Sequence, residues 1–197
     1  LGLDIDYSVE EQPLGTAGSV RLAHERLTET FVVISGDALC DVDLGALVEH
    51  AVATTSQAFR ERGAVVRIER AADVPRLRAD RDRLLQVLIN LLSNAAKFVP
   101  GNDGHVIVTL RCDARAATIE VHDNGPGVPA EQQQLIFDKF RQGGSATNRP
   151  QGTGLGLPIS RKIVEHFGGR MWLTSHPGQG ACFAFDLPWQ HDEEETR

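Results

Sequence analysis

The chain has 197 residues, 41% hydrophobic and 24% charged, with a formal net charge of -7. That composition fits one good-sized globular domain with an appendage. With no basic run to offset the acidic balance, it argues against a nucleic-acid partner. No apolar run is long enough to span a bilayer and none reads as a signal peptide, which says nothing of a parent protein that could be membrane-anchored; a cytoplasmic location is expected for this stretch. Met171 is the only methionine, so the chain is expected to be a fragment, a processed product or an assembled sequence. The cysteines, Cys40, Cys112 and Cys182, show no metal-ligand spacing and an odd count, and read as isolated buried thiols in a reducing compartment.

The first stretch, from Leu1 to about Asp43, differs in character from the rest. Ile5 to Val9 reads as a short strand, Glu11 to Gly18 as a loop, Ser19 to Leu27 as a short helix. Phe31 to Ser35 is a continuous apolar run closed by Gly36-Asp37, the pattern of a buried parallel strand. From Asp43, a plausible N-cap, Leu44, Leu47, Val48, Ala51, Val52, Ala58 and Phe59 recur at helical spacing to about Arg62, where Gly63 stops the helix. Val65 to Glu69 reads as a strand. Asp80 caps a second helix to about Phe98, closed by Pro100-Gly101. His105 to Cys112 and Thr118 to His122 form a hairpin about Asp113-Ala-Arg-Ala. Leu157 to Phe167 is a third helix, and Arg170 to Ser175 with Ala181 to Leu187 a last hairpin. An acidic tail follows Pro188. Locally paired strands with helices on one face predict an α+β two-layer sandwich, preceded by a β-α-β appendage. The expected domains are residues 1–43, 44–188 and a tail at 189–197.

On the helix from Asp80 to Phe98, Arg83, Gln86, Asn90, Asn94 and Lys97 fall within an arc of roughly 60–80°, while leucines and alanines fill most of the rest. A narrow, amide-rich stripe on an otherwise apolar helix points to a half-buried helix lining a polar cavity. Amide oxygens suit a hard cation that takes one or two protein ligands beside phosphates, and Lys97 adds a positive charge. Equally, Asn90 and Asn94 could bond each other or a neighbouring loop. Asp123-Asn-Gly125-Pro-Gly127 follows a strand directly. A carboxylate there can accept from an exocyclic amine, and the glycines permit close backbone approach; an ordinary turn is the alternative. Gly152-Thr153-Gly154-Leu155-Gly156-Leu157 opens a helix with Pro158 in its first turn, an arrangement suited to phosphate oxygens. It is neither a P-loop nor a dinucleotide fingerprint. Between these boxes, Arg141 to Gln151 reads as a mobile lid, with Phe137 and Phe140 packed at its near end.

Taken in order, these stretches resemble the N, G1, F and G2 boxes of the ATP-binding domain of sensor histidine kinases. Its Bergerat fold is shared with gyrase B, Hsp90 and MutL, and the resemblance covers residues from about 43 to 188. It implies ATP and Mg2+ as ligands, with Asn94 the principal metal ligand and Asn90 beside it. It further implies Lys97 on phosphate, Asp123 on the adenine amine, Gly125 and Gly127 at the base pocket, and Gly152, Thr153, Gly154, Leu155 and Gly156 along the triphosphate. Phe137 and Phe140 favour the kinases within the fold. Hydrolases of the fold carry a glutamate general base on this helix. Here the stripe carries Gln86, which cannot take a proton, and this argues against intrinsic hydrolysis. The implied reaction is transfer of the γ-phosphoryl group to a histidine, with a response regulator downstream.

The acceptor histidine of such kinases lies on a two-helix dimerisation segment, which should precede Asp43. His24-Glu25-Arg26-Leu27-Thr28 is a poor match, lacking the proline and a long enough helix. Autophosphorylation in cis is therefore not expected, the acceptor should lie on a separate domain, and a monomer is favoured. Residues 1 to about 43 instead resemble an internal piece of a sugar-phosphate nucleotidyltransferase. Glu11-Gln-Pro-Leu-Gly-Thr-Ala-Gly18 matches a sugar-site loop and Val33-Ile-Ser-Gly-Asp37 a strand ending in a metal-binding aspartate. The glycine-rich nucleotide loop of that family is absent, so no such activity is expected, and a chimeric chain with its seam between Asp41 and His50 is. The alternatives to a kinase domain are a nucleotide-binding module without kinase output and a nucleotidyltransferase remnant.

Overall fold

The computed structural model describes residues 39–71, 74–138 and 154–189. The predicted β-α-β appendage, Phe140, the expected lid at 141–151, Gly152, Thr153 and most of the tail lie outside the described residues. In chain order the elements are β1 (Leu39–Val42), α1 (Leu44–Arg62), β2 (Val65–Arg70), β3 (Leu77–Asp80), α2 (Arg81–Phe98), β4 (His105–Cys112), β5 (Ala116–Asp123), the short α3 (Ala130–Gln133) with a 3-10 turn (Leu135–Phe137), α4 (Gly156–His166), β6 (Met171–Ser175) and β7 (Ala181–Pro188).

Local chemistry sets the helix ends. The Asp43 carboxylate accepts from the Ala46 N–H at 2.9 Å, and α1 ends on Gly63 at φ 65°. That left-handed residue lets the Gly63 and Ala64 N–H groups close on the Arg60 and Phe59 carbonyls at 3.0 and 2.9 Å. Asp80 caps α2 through the N–H groups of Asp82 and Arg83, at 2.9 and 3.1 Å. On α1 the buried residues Leu44, Leu47, Val48, Ala51, Thr55 and Phe59 keep helical spacing. On α2 the buried set is wider: Leu84, Val87, Leu88, Leu91, Leu92, Ala95 and Ala96. This helix therefore packs against α1, α4 and the sheet together. Each fully buried leucine contributes about 1.5–3 kcal/mol relative to exposure.

The main sheet has five strands in the order β2-β4-β5-β7-β6. Only β2–β4 is parallel; the other pairs are antiparallel. The helix-side face carries Val106, Val108 and Leu110 of β4, Ala117, Ile119 and Val121 of β5, and Phe183, Phe185 and Leu187 of β7, all buried. This is the expected α+β two-layer sandwich with a mixed sheet. Two features differ from the sequence reading. The β2–β4 pair is not local: it spans the whole of β3 and α2, the kind of crossover that a parallel pair requires. A second sheet joins β1 to β3 antiparallel, with Val42 opposite Leu77. Its four-residue strands, LCDV and LRAD, carry too few alternations to register as strands by periodicity. Their pairing leaves Val42, Leu77 and Ala79 nearly inaccessible to solvent. The cysteines also differ from expectation. None is fully buried: Cys40 is exposed and Cys112 and Cys182 are half-buried.

Candidate functional site

The polar stripe of α2 holds its predicted place. Arg83, Gln86 and Lys97 are exposed and Asn90 and Asn94 half-buried, while Leu84, Leu88, Leu91, Leu92, Ala95 and Ala96 are inside and Leu85 is half-buried. Asn90 is fixed from α4: its Nδ2 donates to Ser160 Oγ at 2.9 Å, and Ser160 is 1% exposed. A methyl group built on Gly156 would overlap Asn90 Oδ1. The glycine box therefore lies directly on the asparagine stripe, although the two are far apart in sequence. The Asn90 alternative of bonding a neighbour is thus realised in part, with Ser160 as the partner and the carbonyl oxygen turned toward Gly156. Among the described residues, Asn94 and Lys97 have no side-chain hydrogen bond or ion pair.

The loop after β5 closes on the far end of the same helix. Asp123 Oδ1 accepts from the Gly125 N–H at 2.8 Å. A Cβ at Gly125 would come 3.0 Å from the Phe98 carbonyl oxygen, at the end of α2. Burial raises the Asp123 carboxyl above its ordinary value, while N–H bonds from Gly125 and Ala181 and the His122 ring work the other way. Gly127 takes φ 73° and is pressed against the His176 carbonyl. Gly180, at φ 81°, is pressed likewise against the Asp123 carbonyl. These are backbone-on-backbone approaches that a side chain would block.

Residues outside the predicted set tie this loop down. Ser175 Oγ donates to the Gly180 carbonyl at 2.7 Å and accepts from the Val128 N–H at 2.8 Å. Gln133 Nε2 donates to the Val128 and Ser175 carbonyls, both at 2.9 Å. Ser160, Ser175 and Gln133 have no sequence signature, because a lone hydroxyl or amide gains its role only from what is folded against it. Phe137 is half-buried and lies under the Arg161 guanidinium, 5.7 Å from its ring centroid, so the F-box stretch is held to α4. Gly154 takes φ 67°, and Leu155 leads into α4 without a side-chain cap. A groove of about 460 Å³ runs along α2 between Asp82, Leu85, Gln86, Ile89, Asn90 and Ser93. Of the predicted site residues it reaches only Asn90, so it is not the centre that the glycine loops define.

An amide stripe on one helix, a half-buried carboxylate at a strand end, and glycine turns packed on both lie together on an α+β sandwich. The chain belongs to the histidine kinase-, DNA gyrase B- and HSP90-like ATPase family, whose model matches residues 79–191. A nucleotidyl transferase model matches residues 1–72, a range that includes β1, α1 and β2 of the sandwich. The chain is 40% identical over 157 residues to the adaptive-response sensory kinase SasA of Parasynechococcus marenigrum (strain WH8102), covering 78% of this chain and 40% of that protein. It thus spans about two fifths of the length of that curated relative. Among solved structures it is similar to the catalytic domain of histidine kinase ThkA, with TM-score 0.68 and 31% identity over 76% of this chain and 95% of that one. It is also similar to full-length ShkA in complex with AMPPNP, with TM-score 0.68 and 30% identity over 85% of this chain and 34% of that one. The chain therefore carries a histidine kinase-type ATPase domain, a family that implies ATP binding. No helix among the described residues is long and apolar enough to cross a membrane.

Proposed function

We propose that this chain binds ATP with Mg2+ and transfers the γ-phosphoryl group to a histidine on a separate dimerisation domain, from which a response regulator would take it. The observation that carries this reading is the packing of Gly156 on Asn90. It sets a glycine-rich helix start beside amide oxygens that suit a hard cation next to phosphates. Asn94 and Asn90 would hold Mg2+, which neutralises phosphate charge when bound. Lys97 would take a phosphate oxygen, and Gly152, Thr153, Gly154, Leu155 and Gly156 would run along the triphosphate. Asp123 would accept from the adenine amine, with Gly125 and Gly127 shaping the base pocket. Phe137 and Phe140 would anchor the lid. In this reading Asn94 and Lys97 are the catalytic residues, because a loose phosphoryl-transfer transition state asks chiefly for positioning and charge neutralisation.

The structure of ShkA with AMPPNP supports the nucleotide half of the reading, and the likeness to SasA supports the kinase half. We assign the catalytic unit to residues 44–188, and to residues 1–43 a nucleotidyltransferase-like segment without transferase activity. The cytoplasm and a monomeric state fit this reading.

Titration calorimetry with a non-hydrolysable ATP analogue, with and without Mg2+, tests the site. Mg2+-dependent binding is expected, and no binding in either condition would sink the proposal. Label transfer from ATP to an added histidine-bearing dimerisation domain then tests the kinase half. Binding without transfer would leave a nucleotide module whose output is conformational.

A further inference from the structure

On the sheet face turned away from the helices, β5 and β7 bring three ligand-type side chains to one point. Glu120 and His122 are two residues apart on β5 and so share a face, and Cys182 on β7 stands directly opposite His122. His122 Nε2 lies 3.4 Å from Glu120 Oε2 and 3.4 Å from Cys182 Sγ. The three donor atoms all fall within 4.8 Å of one another. Asp123 is the next residue along β5, but alternation turns its side chain to the other face, so this cluster is separate from the nucleotide-type site.

We propose that Glu120, His122 and Cys182 form a site for a tetrahedral divalent cation with thiolate affinity, Zn2+ by its donor set, with the fourth position open to water. A thiolate, an imidazole and a carboxylate are the ligand types Zn2+ takes, and three protein ligands with one open position is a recurring arrangement. The spacing agrees. A tetrahedral Zn2+ with ordinary bond lengths sets its sulfur and nitrogen ligands about 3.5 Å apart and its nitrogen and oxygen ligands about 3.4 Å apart. His122 stands at those separations from both partners.

Two other uses of the same residues fit less well. A nucleophilic Cys-His-Glu relay needs the thiol at one ring nitrogen and the carboxylate at the other; here both meet Nε2. The Cys182 thiol is also pushed up to about 12, by burial first and then by Glu120 and Asp123. It is thus protonated at neutral pH, and a cation among the three would reverse that balance. A plain surface ion pair of Glu120 with His122 contributes little stability and leaves the placement of Cys182 on the same nitrogen unexplained. The His122 side chain is 45% exposed, which leaves a path for an ion to enter. Once bound, the ion would cross-link β5 to β7 one residue before Asp123.

The test uses the full chain, stripped with chelator and titrated with Co2+ as a spectroscopic probe, followed by Zn2+ competition. One equivalent should give thiolate-to-cobalt charge transfer and tetrahedral ligand-field bands, displaced by Zn2+. Cys182→Ser should abolish the charge-transfer band, and His122→Gln should weaken binding at least about 100-fold, the upper range for loss of even an outer partner. Cys40→Ser and Cys112→Ser should leave the spectrum unchanged. Zn2+ should also raise the melting temperature of the wild type and of Cys40→Ser but not of His122→Gln, a readout that stands if Cys182→Ser folds poorly. Absence of the charge-transfer band at one equivalent, or its persistence in Cys182→Ser, overturns the proposal, as does an equal Zn2+ shift in His122→Gln.

Discussion

Replacing Gly156 by alanine tests whether the glycine box is glycine because of the asparagine beneath it. The nearest atoms to a Cβ there are Asn90 Oδ1, Cγ and Nδ2, the last two at 2.8 and 3.0 Å. Gly156 is not among the positive-φ glycines, so the backbone accepts alanine, and alone the exchange would gain about 0.4–1 kcal/mol by restricting the unfolded chain. With Asn90 present, its amide must swing away. That breaks the bond to Ser160 Oγ at 2.9 Å and leaves a buried hydroxyl unpaired, at about 1–3 kcal/mol, with about 1 kcal/mol more for an off-rotamer amide. The expected net effect of Gly156→Ala in the wild type is about 1–3 kcal/mol destabilising. Asn90→Ala alone should cost about 1–3 kcal/mol through the same unpaired hydroxyl. In the Asn90→Ala background nothing remains for the new methyl group to strike, so Gly156→Ala should become neutral or stabilising by up to about 1 kcal/mol. Urea denaturation of the four proteins of the cycle measures this directly. The reasoning fails if the two substitutions add, or if Gly156→Ala keeps its sign when Asn90 is gone.

Asp123→Asn should weaken adenine-nucleotide binding in calorimetry yet stabilise the ligand-free protein at neutral pH. The Asp123 carboxyl is raised on folding, chiefly by burial, so its contribution is fully present below the unfolded value and is lost as pH rises through the folded one. The stability gap between variant and wild type should therefore close as pH falls below 3.8, the ordinary aspartate value, and a gap that widens on acidification would contradict this. Leu92→Ala, at a position 0% exposed, should cost about 2–5 kcal/mol of unfolding free energy, measured by urea denaturation. Asp80→Ala removes the acceptor for two α2 N–H groups and should cost about 1 kcal/mol, lowering the melting temperature by a few degrees without changing ligand stoichiometry. Asn94→Ala should leave the fold intact, since among the described residues its side chain makes no hydrogen bond. It should also remove most of the Mg2+ dependence of nucleotide binding; unchanged Mg2+ dependence would reassign the metal ligand.

Much of this protein could be read from short stretches, because capping, helical periodicity and turn chemistry act over a few residues. Asp43 and Asp80 announced their helices, Gly63 announced a stop, and the stripe on α2 told which side of the helix stays out of the core. The ordered boxes also identified the family. What the stretches could not show is which distant groups they meet. The β1–β3 sheet is built from segments too short to carry a period, and the parallel β2–β4 pair closes over an intervening strand and helix. Ser160 becomes a partner for Asn90 only when α4 lies on α2. The cysteines make the contrast sharpest. Along the chain Cys182 has no neighbour of metal-ligand type at the usual spacing, but β5–β7 register sets it opposite His122, a residue 60 positions away. Side-chain type and local spacing are sequence properties; convergence of donor atoms on one point is a property of strand register and helix packing, which only the folded chain decides.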